Sequence, residues 1–515
     1  MELPQYSPLV VLQTLSFSKP DLTIFEVPKK TWLSLKKTFL TNLILLLILN
    51  LLVKPIWIFG IDRTVQNTVG AAEYGLYFSL FSFSILFNIL LDMGITSFNN
   101  REIAIHPQLV SKYFSNLVVL KVILGLLYVG FSLAVGTIIG YSEKHMMLLV
   151  FLLINQLLGA ATLYFRSNLS GLHHFKTDSV ISVLDRFLMI VFCGILLYIP
   201  LTRANFKIEW FVYAQTVAYF TTAAVSFILV YKKTTFFRPR FDFNFLLTIF
   251  KRSYPFALLT LLMSFYYRID SVMLERMIPD GEMQAGIYAQ AFRLLDAANM
   301  VPFLFGGLLL PIFASMIAKK QEVVSLMKLS FNLLITPVVG LAAVVFFYRV
   351  EIIELLYLSH VESTSSILGI LMFSFLAISL SYIFGTLLTS NGNMKIVNLI
   401  SLAGVITNVG LNLVLIPRYG AVGAAFASLT TQTISVFLQV YFCYKIFKVS
   451  MAWQEIFWQT TYFSIAIITP MVLHLYNQRL SVGIVVSASV CIGAAIAFKR
   501  INFKVLFKIL KQEDV

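Results

Sequence analysis

Long apolar runs separated by short polar connections recur along the whole chain. A helix that crosses the hydrocarbon of a bilayer needs about 20 mostly apolar residues. By that ruler the pattern predicts fourteen spans, near 39–60, 72–96, 113–139, 146–166, 181–200, 210–231, 254–275, 285–317, 327–348, 366–389, 396–416, 421–444, 456–476 and 480–498. No connection between them is large enough to fold as a domain. The expected fold is therefore an all-α polytopic membrane protein. Composition supports this reading. Of 515 residues, 59% are hydrophobic and 12% charged, about half the usual share of charge in a globular domain. So few charges do not cover a soluble surface.

The net charge of +15 tests the topology, because cytoplasmic loops collect Lys and Arg. With the N-terminus inside, the cytoplasmic segments carry 26 basic residues and the outer loops 8. Both termini are expected in the cytoplasm, and the basicity needs no nucleic acid to explain it. The first 38 residues lack the apolar core and cleavage site of a secretion signal. Cys193, Cys443 and Cys491 all fall in apolar stretches and are expected to pack as small residues.

A faint repeat is visible. Gly75-Leu76-Tyr77 opens the second span and Gly286-Ile287-Tyr288 the eighth, six spans apart and so in the same orientation. Parallel repeats of this kind build many secondary transporters, with the site where the halves meet.

Enzyme chemistry is poorly represented. There is no Gly-Lys dipeptide for a phosphate-cradling loop, no His-Glu-x-x-His and no Asp-x-Asp. The six histidines sit at span ends or in loops without metal-ligand spacing. A membrane polymerase or ligase needs a sizeable outer loop, and the longest, about 349–365, is under twenty residues. The expectation is movement of a substrate, with no metal, no resident cofactor and no catalysis.

Five basic residues remain inside spans: Lys54, Lys121, Arg186, Arg268 and Arg293. Acidic companions are Asp92, Asp185, Asp270, Glu275 and Asp296. An ionisable group at mid-bilayer costs about 2.5–3.5 kcal/mol on insertion scales, so such groups face protein or water. Arg268 and Arg293 lie about 12 and 13 residues either side of the loop near 280, which puts them at one depth in an antiparallel pair. Asp296 is one turn from Arg293 and can pair with it. Asp185 adjoins Arg186, whereas Lys54, Lys121 and Arg268 have no acidic residue one turn away. Cations at two depths suit an anionic group that enters from inside and is passed outward. Asp92, alone near the end of its span, and the other carboxylates are candidates for charge pairing or for a coupling proton or sodium ion. Asn408 and Asn412 share a helix face, Tyr266, Tyr267 and Tyr288 are candidates for stacking on sugars, and Pro302, Pro311 and Pro337 for bends.

Several segments together carry a resemblance. Asn408-Val-Gly-Leu-Asn412-Leu-Val-Leu-Ile-Pro417-Arg418-Tyr419-Gly420-Ala-Val-Gly423-Ala-Ala is similar to the late signature of polysaccharide-biosynthesis transporters, the oligosaccharide flippases of the multidrug/oligosaccharidyl-lipid/polysaccharide exporter superfamily. Glu73-Tyr74-Gly75, Asp92-Met93-Gly94 and Arg101-Glu102 resemble its early pattern, and Asp270, Tyr288-Ala289 and Arg293 its middle. The resemblance covers roughly 37–500 and does not name the glycan. It implies about 14 transmembrane helices in two six-helix lobes around a central cavity, plus a C-terminal helix pair. The corresponding divisions are a tail at 1–38, an N-lobe at 39–231, a basic linker at 232–253, a C-lobe at 254–445, a terminal pair at 446–499 and a basic tail at 500–515. The N-terminal tail departs from the family pattern. The implied activity is ion-coupled flipping of undecaprenyl-pyrophosphate-linked glycan across the bacterial inner membrane. Arg268, Arg293, Lys54, Lys121 and Arg186 would hold the substrate, and Asp92, Asp270, Asp296 and Asp185 would couple an ion or pair charges. Implied partners are the lipid-linked glycan, the bilayer and other polysaccharide-assembly membrane proteins. The rival expectations are a cation-coupled multidrug exporter of the same superfamily and a membrane glycan polymerase or ligase.

Overall fold

A computed structural model describes Leu49 and residues 52–238, 243–448 and 453–498. The tails at 1–38 and 500–515, and residues 239–242 of the linker, lie outside the described residues. Every regular element among the described residues is helical. Eleven helices among them are long and apolar enough to cross a membrane.

Two of the eleven are broken internally by a glycine in a non-helical conformation. Residues 394–447 form 54 residues of helix, about 81 Å at 1.5 Å per residue, against a hydrocarbon core of about 30 Å. The backbone leaves the helical region at Gly420, where φ is 53° and ψ −132°. A side chain is strongly disfavoured there, so glycine supplies the break. Gly70, at φ 83° and ψ 170°, breaks residues 52–86 in the same way. The tight turn expected between the spans ending near 416 and starting near 421 is therefore built into Tyr419-Gly420-Ala421.

The helices of more than ten residues are α1 (52–69), α2 (71–86), α3 (Ile95–Ile105), α4 (Val110–Ile139), α5 (Glu143–Gly171), α6 (Phe175–Tyr198), α7 (Ile208–Tyr231), α8 (Phe243–Met277), α9 (Gly281–Ala298), α10 (Met300–Ala318), α11 (Val324–Phe347), α12 (Val361–Ser390), α13 (394–419), α14 (421–447), α15 (Trp453–Leu475) and α16 (Leu480–Ala497). Several boundaries differ from expectation: α8 starts at Phe243 rather than near 254, and the span expected at 285–317 is two helices, α9 and α10. The first span runs on to residue 69, not 60, because Asp62 and Gln66 are buried and hydrogen-bonded inside the bundle. The second ends at Leu86 and continues as a 3₁₀ turn, Asn88–Leu91, before reversing at Met93 and Gly94, both at positive φ.

The chain packs as two compact units, up to Ala289 and from Gln290 onward. In the first, α5 is the hub, lying against α2, α3, α4, α6 and α7. Phe114, Tyr164, Phe165 and Phe227 form an aromatic centre there, with rings 5.5–6.3 Å apart. α8 joins this unit by packing along α2. The second unit is organised on α12, which contacts α10, α11 and the 394–447 helices, while α11 receives the terminal pair α15 and α16. Close contacts fix that pair: Cys491 Sγ would lie 3.2 Å from a Cβ at Gly340, and Tyr462 donates to the Thr336 carbonyl at 2.9 Å. Large apolar side chains cover the exterior, with Ile138 83% exposed and Leu126 and Phe437 each 69% exposed. A water-facing surface does not carry apolar groups on this scale, and the protein is a multi-pass membrane protein. The three cysteines are free and buried, as expected.

Candidate functional site

The first cation of interest stands on a distorted helix. Lys54 precedes Pro55, after which α1 opens into a π turn, Ile56–Asp62. Proline removes a backbone donor and crowds the preceding turn, and wide turns of this type recur at functional sites. Lys54 is partly buried, and the charges acting on it are Arg186, Asp185 and Arg166. It makes no ion pair or hydrogen bond among the described residues. Cations thus gather at this point, Arg186 and Arg166 acting on Lys54 together with the Asp185 carboxylate. That carboxylate is 3.8 Å from Arg186 Nε, beyond a good hydrogen bond. Arg186 is held by aromatic faces instead, 5.9 Å from the Trp57 ring centre and 5.7 Å from that of Tyr219, and donates to Met189 Sδ at 3.3 Å.

Lys121 is placed differently. Its ammonium is ion-paired with Asp92 and also donates to the Leu91 carbonyl at 3.0 Å and to Thr96 Oγ1 at 3.4 Å. Asp92 caps α3 by accepting from the Thr96 backbone N–H at 3.2 Å. All three ammonium donors are therefore used at the break between α2 and α3. The expectation that Asp92 stands alone is corrected: its cation comes from 29 residues away on α4, a pairing that helical spacing does not reveal. The motif Asp92-Met93-Gly94 is thus a turn with its own counter-ion.

Arg268 lies on α8 between two contacts with the α2 region, Phe265 on Phe87 and Glu275 on Ser79. It is 3% exposed, and its guanidinium lies 5.5 Å from the centre of the Tyr267 ring. Asp270 accepts from Tyr288 Oη at 3.0 Å. Tyr266 and Tyr288 are buried, so neither offers a wet stacking face in this conformation. In the second unit Arg293 is wholly buried and Asp296, one turn on, nearly so. Asn408 and Asn412 are buried as well, with an intrahelical bond of 3.1 Å.

One residue that the sequence pattern missed is Asp62. Lying past the expected end of the first span near 60, it is 1% exposed inside the bundle, accepting from Tyr74 Oη at 2.8 Å and Gln66 Nε2 at 3.0 Å. The recognisable signal was Gln66, one turn further on, a second polar residue on the same face.

The repeat has a structural meaning. A Cβ at Gly75 would lie 1.8 Å from the Glu282 carbonyl oxygen, and one at Gly286 would lie 1.9 Å from that of Ala71. α2 and α9 cross backbone to backbone at these two glycines, as close as helices can approach. Each tyrosine two residues on is tethered, Tyr77 to Gln215 at 3.0 Å and Tyr288 to Asp270. Above the crossing, His145 lies between Glu275 (3.6 Å) and Glu282 (3.4 Å), and Arg276 donates to the carbonyls of Ile139 and Gly140, both at 3.1 Å. Burial and the neighbouring Glu275 carboxylate push the Tyr141 phenol up, so it stays protonated.

Comparisons with known proteins agree with this architecture. The family model for polysaccharide biosynthesis proteins matches residues 39–317, more than half of the chain. No curated protein sequence matches. Among solved structures, the lipid II flippase MurJ in an inward closed conformation is similar over 90% of this chain and all of its own, at 14% identity and a TM-score of 0.67. A multidrug resistance MATE family transporter of the MOP superfamily is similar in its inward-facing form over 78% of this chain and 94% of its own, at 14% identity and a TM-score of 0.59. An outward-facing form gives 80%, 96%, 14% and 0.57. The matched segment and the shared fold lead to one conclusion: this chain belongs to the polysaccharide biosynthesis protein family and has the fold of MOP-superfamily transporters.

Proposed function

We propose that the protein is a flippase for lipid-linked oligosaccharide, moving an undecaprenyl-pyrophosphate-linked glycan from the cytoplasmic to the periplasmic leaflet of a bacterial inner membrane. Both termini are then cytoplasmic, and the end of the first unit bearing Gly70, Gly140 and the 278–280 turn faces the periplasm. The observation that carries the reading is Lys54 beside Arg186, two like charges in the bundle, with the Arg186 guanidinium lying over the ring of Trp57, one turn from Lys54. Such a pair is stable where an anion joins it, and a pyrophosphate exchanges its hydration for charge-assisted hydrogen bonds. Arg268 and Arg293 are assigned to the same anion at other stages of transport. Lys121 is assigned to hold the α2–α3 break, and Asp62 and Asp270 to take the coupling proton or sodium ion.

Replacing Arg268 or Arg293 singly with Ala is expected to reduce surface glycan at matched protein level. A hydrogen bond to a charged group contributes about 1.5–3 kcal/mol, so substrate affinity should fall roughly 10- to 100-fold. Undiminished export from both variants would count against the assignment.

The buried carboxylates Asp62 and Asp270 favour a second reading, a cation-coupled drug exporter, which the shared MATE fold accommodates. Drug susceptibility in a pump-deficient strain separates the two.

A further inference from the structure

We propose that Trp57 is a further substrate-binding residue, its indole N–H donating to the same anion that Lys54 and Arg186 attract. The inference rests on reading Lys54 and Arg186 as a substrate site, and it adds a neutral donor to two charges.

Trp57 is 1% exposed, and its Nε1 has no hydrogen-bond acceptor. Buried N–H groups in folded proteins are overwhelmingly paired, so each exception calls for an explanation. The ring's neighbours do not supply one. Phe211 stacks on it at 5.7 Å with planes 7° apart, and the Arg186 guanidinium lies over it. Both contacts use ring faces and leave the N–H edge unengaged. They also fix the ring, so the donor is held in one orientation.

Position supports the same assignment. Trp57 is the second residue of the π turn that follows Lys54-Pro55, and Lys54 and Trp57 are three residues apart on one helix, close enough to share a face. The Trp57 ring, Lys54 and Arg186 therefore form one cluster drawn from α1 and α6, backed by Tyr219 and Phe211 of α7. An indole N–H only donates. Its partner must be an acceptor, which a pyrophosphate offers through several oxygens and the ammonium group of a cationic drug does not.

The test uses the full-length protein in lipid nanodiscs, with farnesyl pyrophosphate and farnesyl monophosphate as probes. Trp57→Phe keeps the aromatic face against Phe211 and Arg186 and removes only the donor. It is expected to weaken farnesyl pyrophosphate binding roughly tenfold while leaving the salt dependence of binding unchanged, because no charge is lost. Lys54→Met is expected to weaken binding and flatten the salt dependence. In the unsubstituted protein, one of the five tryptophan indole ¹⁵N–H signals, identified by its absence in Trp57→Phe, should move downfield on adding the pyrophosphate. Binding by Trp57→Phe within twofold of the parent, or an unmoved indole signal, overturns the role of Trp57. If Lys54→Met is impaired at the same time, the anion site stands without it. A parent protein that binds neither probe overturns both the site and this inference.

Discussion

Replacing Lys121 with Met is expected to destabilise the protein by about 3–5 kcal/mol, the cost of leaving one member of a buried ion pair without the other. Asp92 is 2% exposed and cannot regain water where it stands. Its remaining partners, Thr96 Oγ1 and the Thr96 backbone N–H, are neutral donors. The Leu91 carbonyl, at the end of a 3₁₀ turn, loses the Lys121 ammonium as well. Neutralising both residues, Lys121→Met with Asp92→Asn, is expected to recover most of the loss, since a buried pair replaced as a whole is close to neutral. Thermal unfolding in detergent measures both. If Lys121 served the substrate instead, Lys121→Met would unfold like the parent while binding farnesyl pyrophosphate poorly, an outcome that would falsify the anchoring role.

Gly286→Ala is expected to force apart the crossing of α2 and α9. Its methyl group would stand 1.9 Å from the Ala71 carbonyl oxygen, and the obstacle is backbone, which has no rotamer to move away. Overpacking costs about 1–3 kcal/mol where side chains yield, and more is expected where they cannot. Gly75→Ala meets the Glu282 carbonyl in the same way. Ser79 gives a readout, because it is wholly buried one turn below Gly75 and donates to Glu275 across the α2–α8 contact. In a background without native cysteines, Ser79→Cys should react with a soluble maleimide at least tenfold faster once Gly286→Ala or Gly75→Ala is added (about 1.4 kcal/mol per factor of ten). The two together should add little to either, since both act on one contact. Gly194→Ala and Gly410→Ala, at positions with open space around the glycine, should leave the rate unchanged. Equal rates in all four variants would show that the crossing tolerates a methyl group.

The crossing also explains where packing divides the chain. The repeat places a boundary in the linker at 232–253, between two sets of six spans. Compact packing places it after Ala289, because α8 lies along α2 and the start of α9 meets it at Gly75. Covalent order and spatial grouping answer different questions. The repeat was legible as Gly-aliphatic-Tyr at two sites, yet nothing in either copy announced that the two glycines face each other.

Some of the site was legible for a sound reason. An ionisable residue within an apolar run is costly wherever it points, so Lys54, Arg186, Arg268 and Arg293 stood out without any knowledge of their neighbours. What each one does was not legible. Lys121 and Lys54 look alike in sequence, both lacking an acid one turn away. Their surroundings differ completely, with Asp92 on one and a second cation, Arg186, near the other. Asp62 was hidden by the opposite error, since a polar residue past the expected end of a span reads as outside it when its partners, Tyr74 among them, lie across a bend.

The sequence by itself determined that this chain lives in a bilayer, that its backbone is helical, where most helices run and which charges are anomalous. Those properties follow from local physics: the length of apolar runs, the cost of an unpaired backbone in hydrocarbon and the cost of burying charge. Tertiary structure alone decided which of the charges are neutralised, which glycines touch and which indole is left without an acceptor. Each of these depends on distances between residues far apart in the chain, 29 positions for Lys121 and Asp92, over 120 for Trp57 and Arg186 and over 200 for Ala71 and Gly286. Helical periodicity carries information over one or two turns, and pairings at that range are set only when the helices pack.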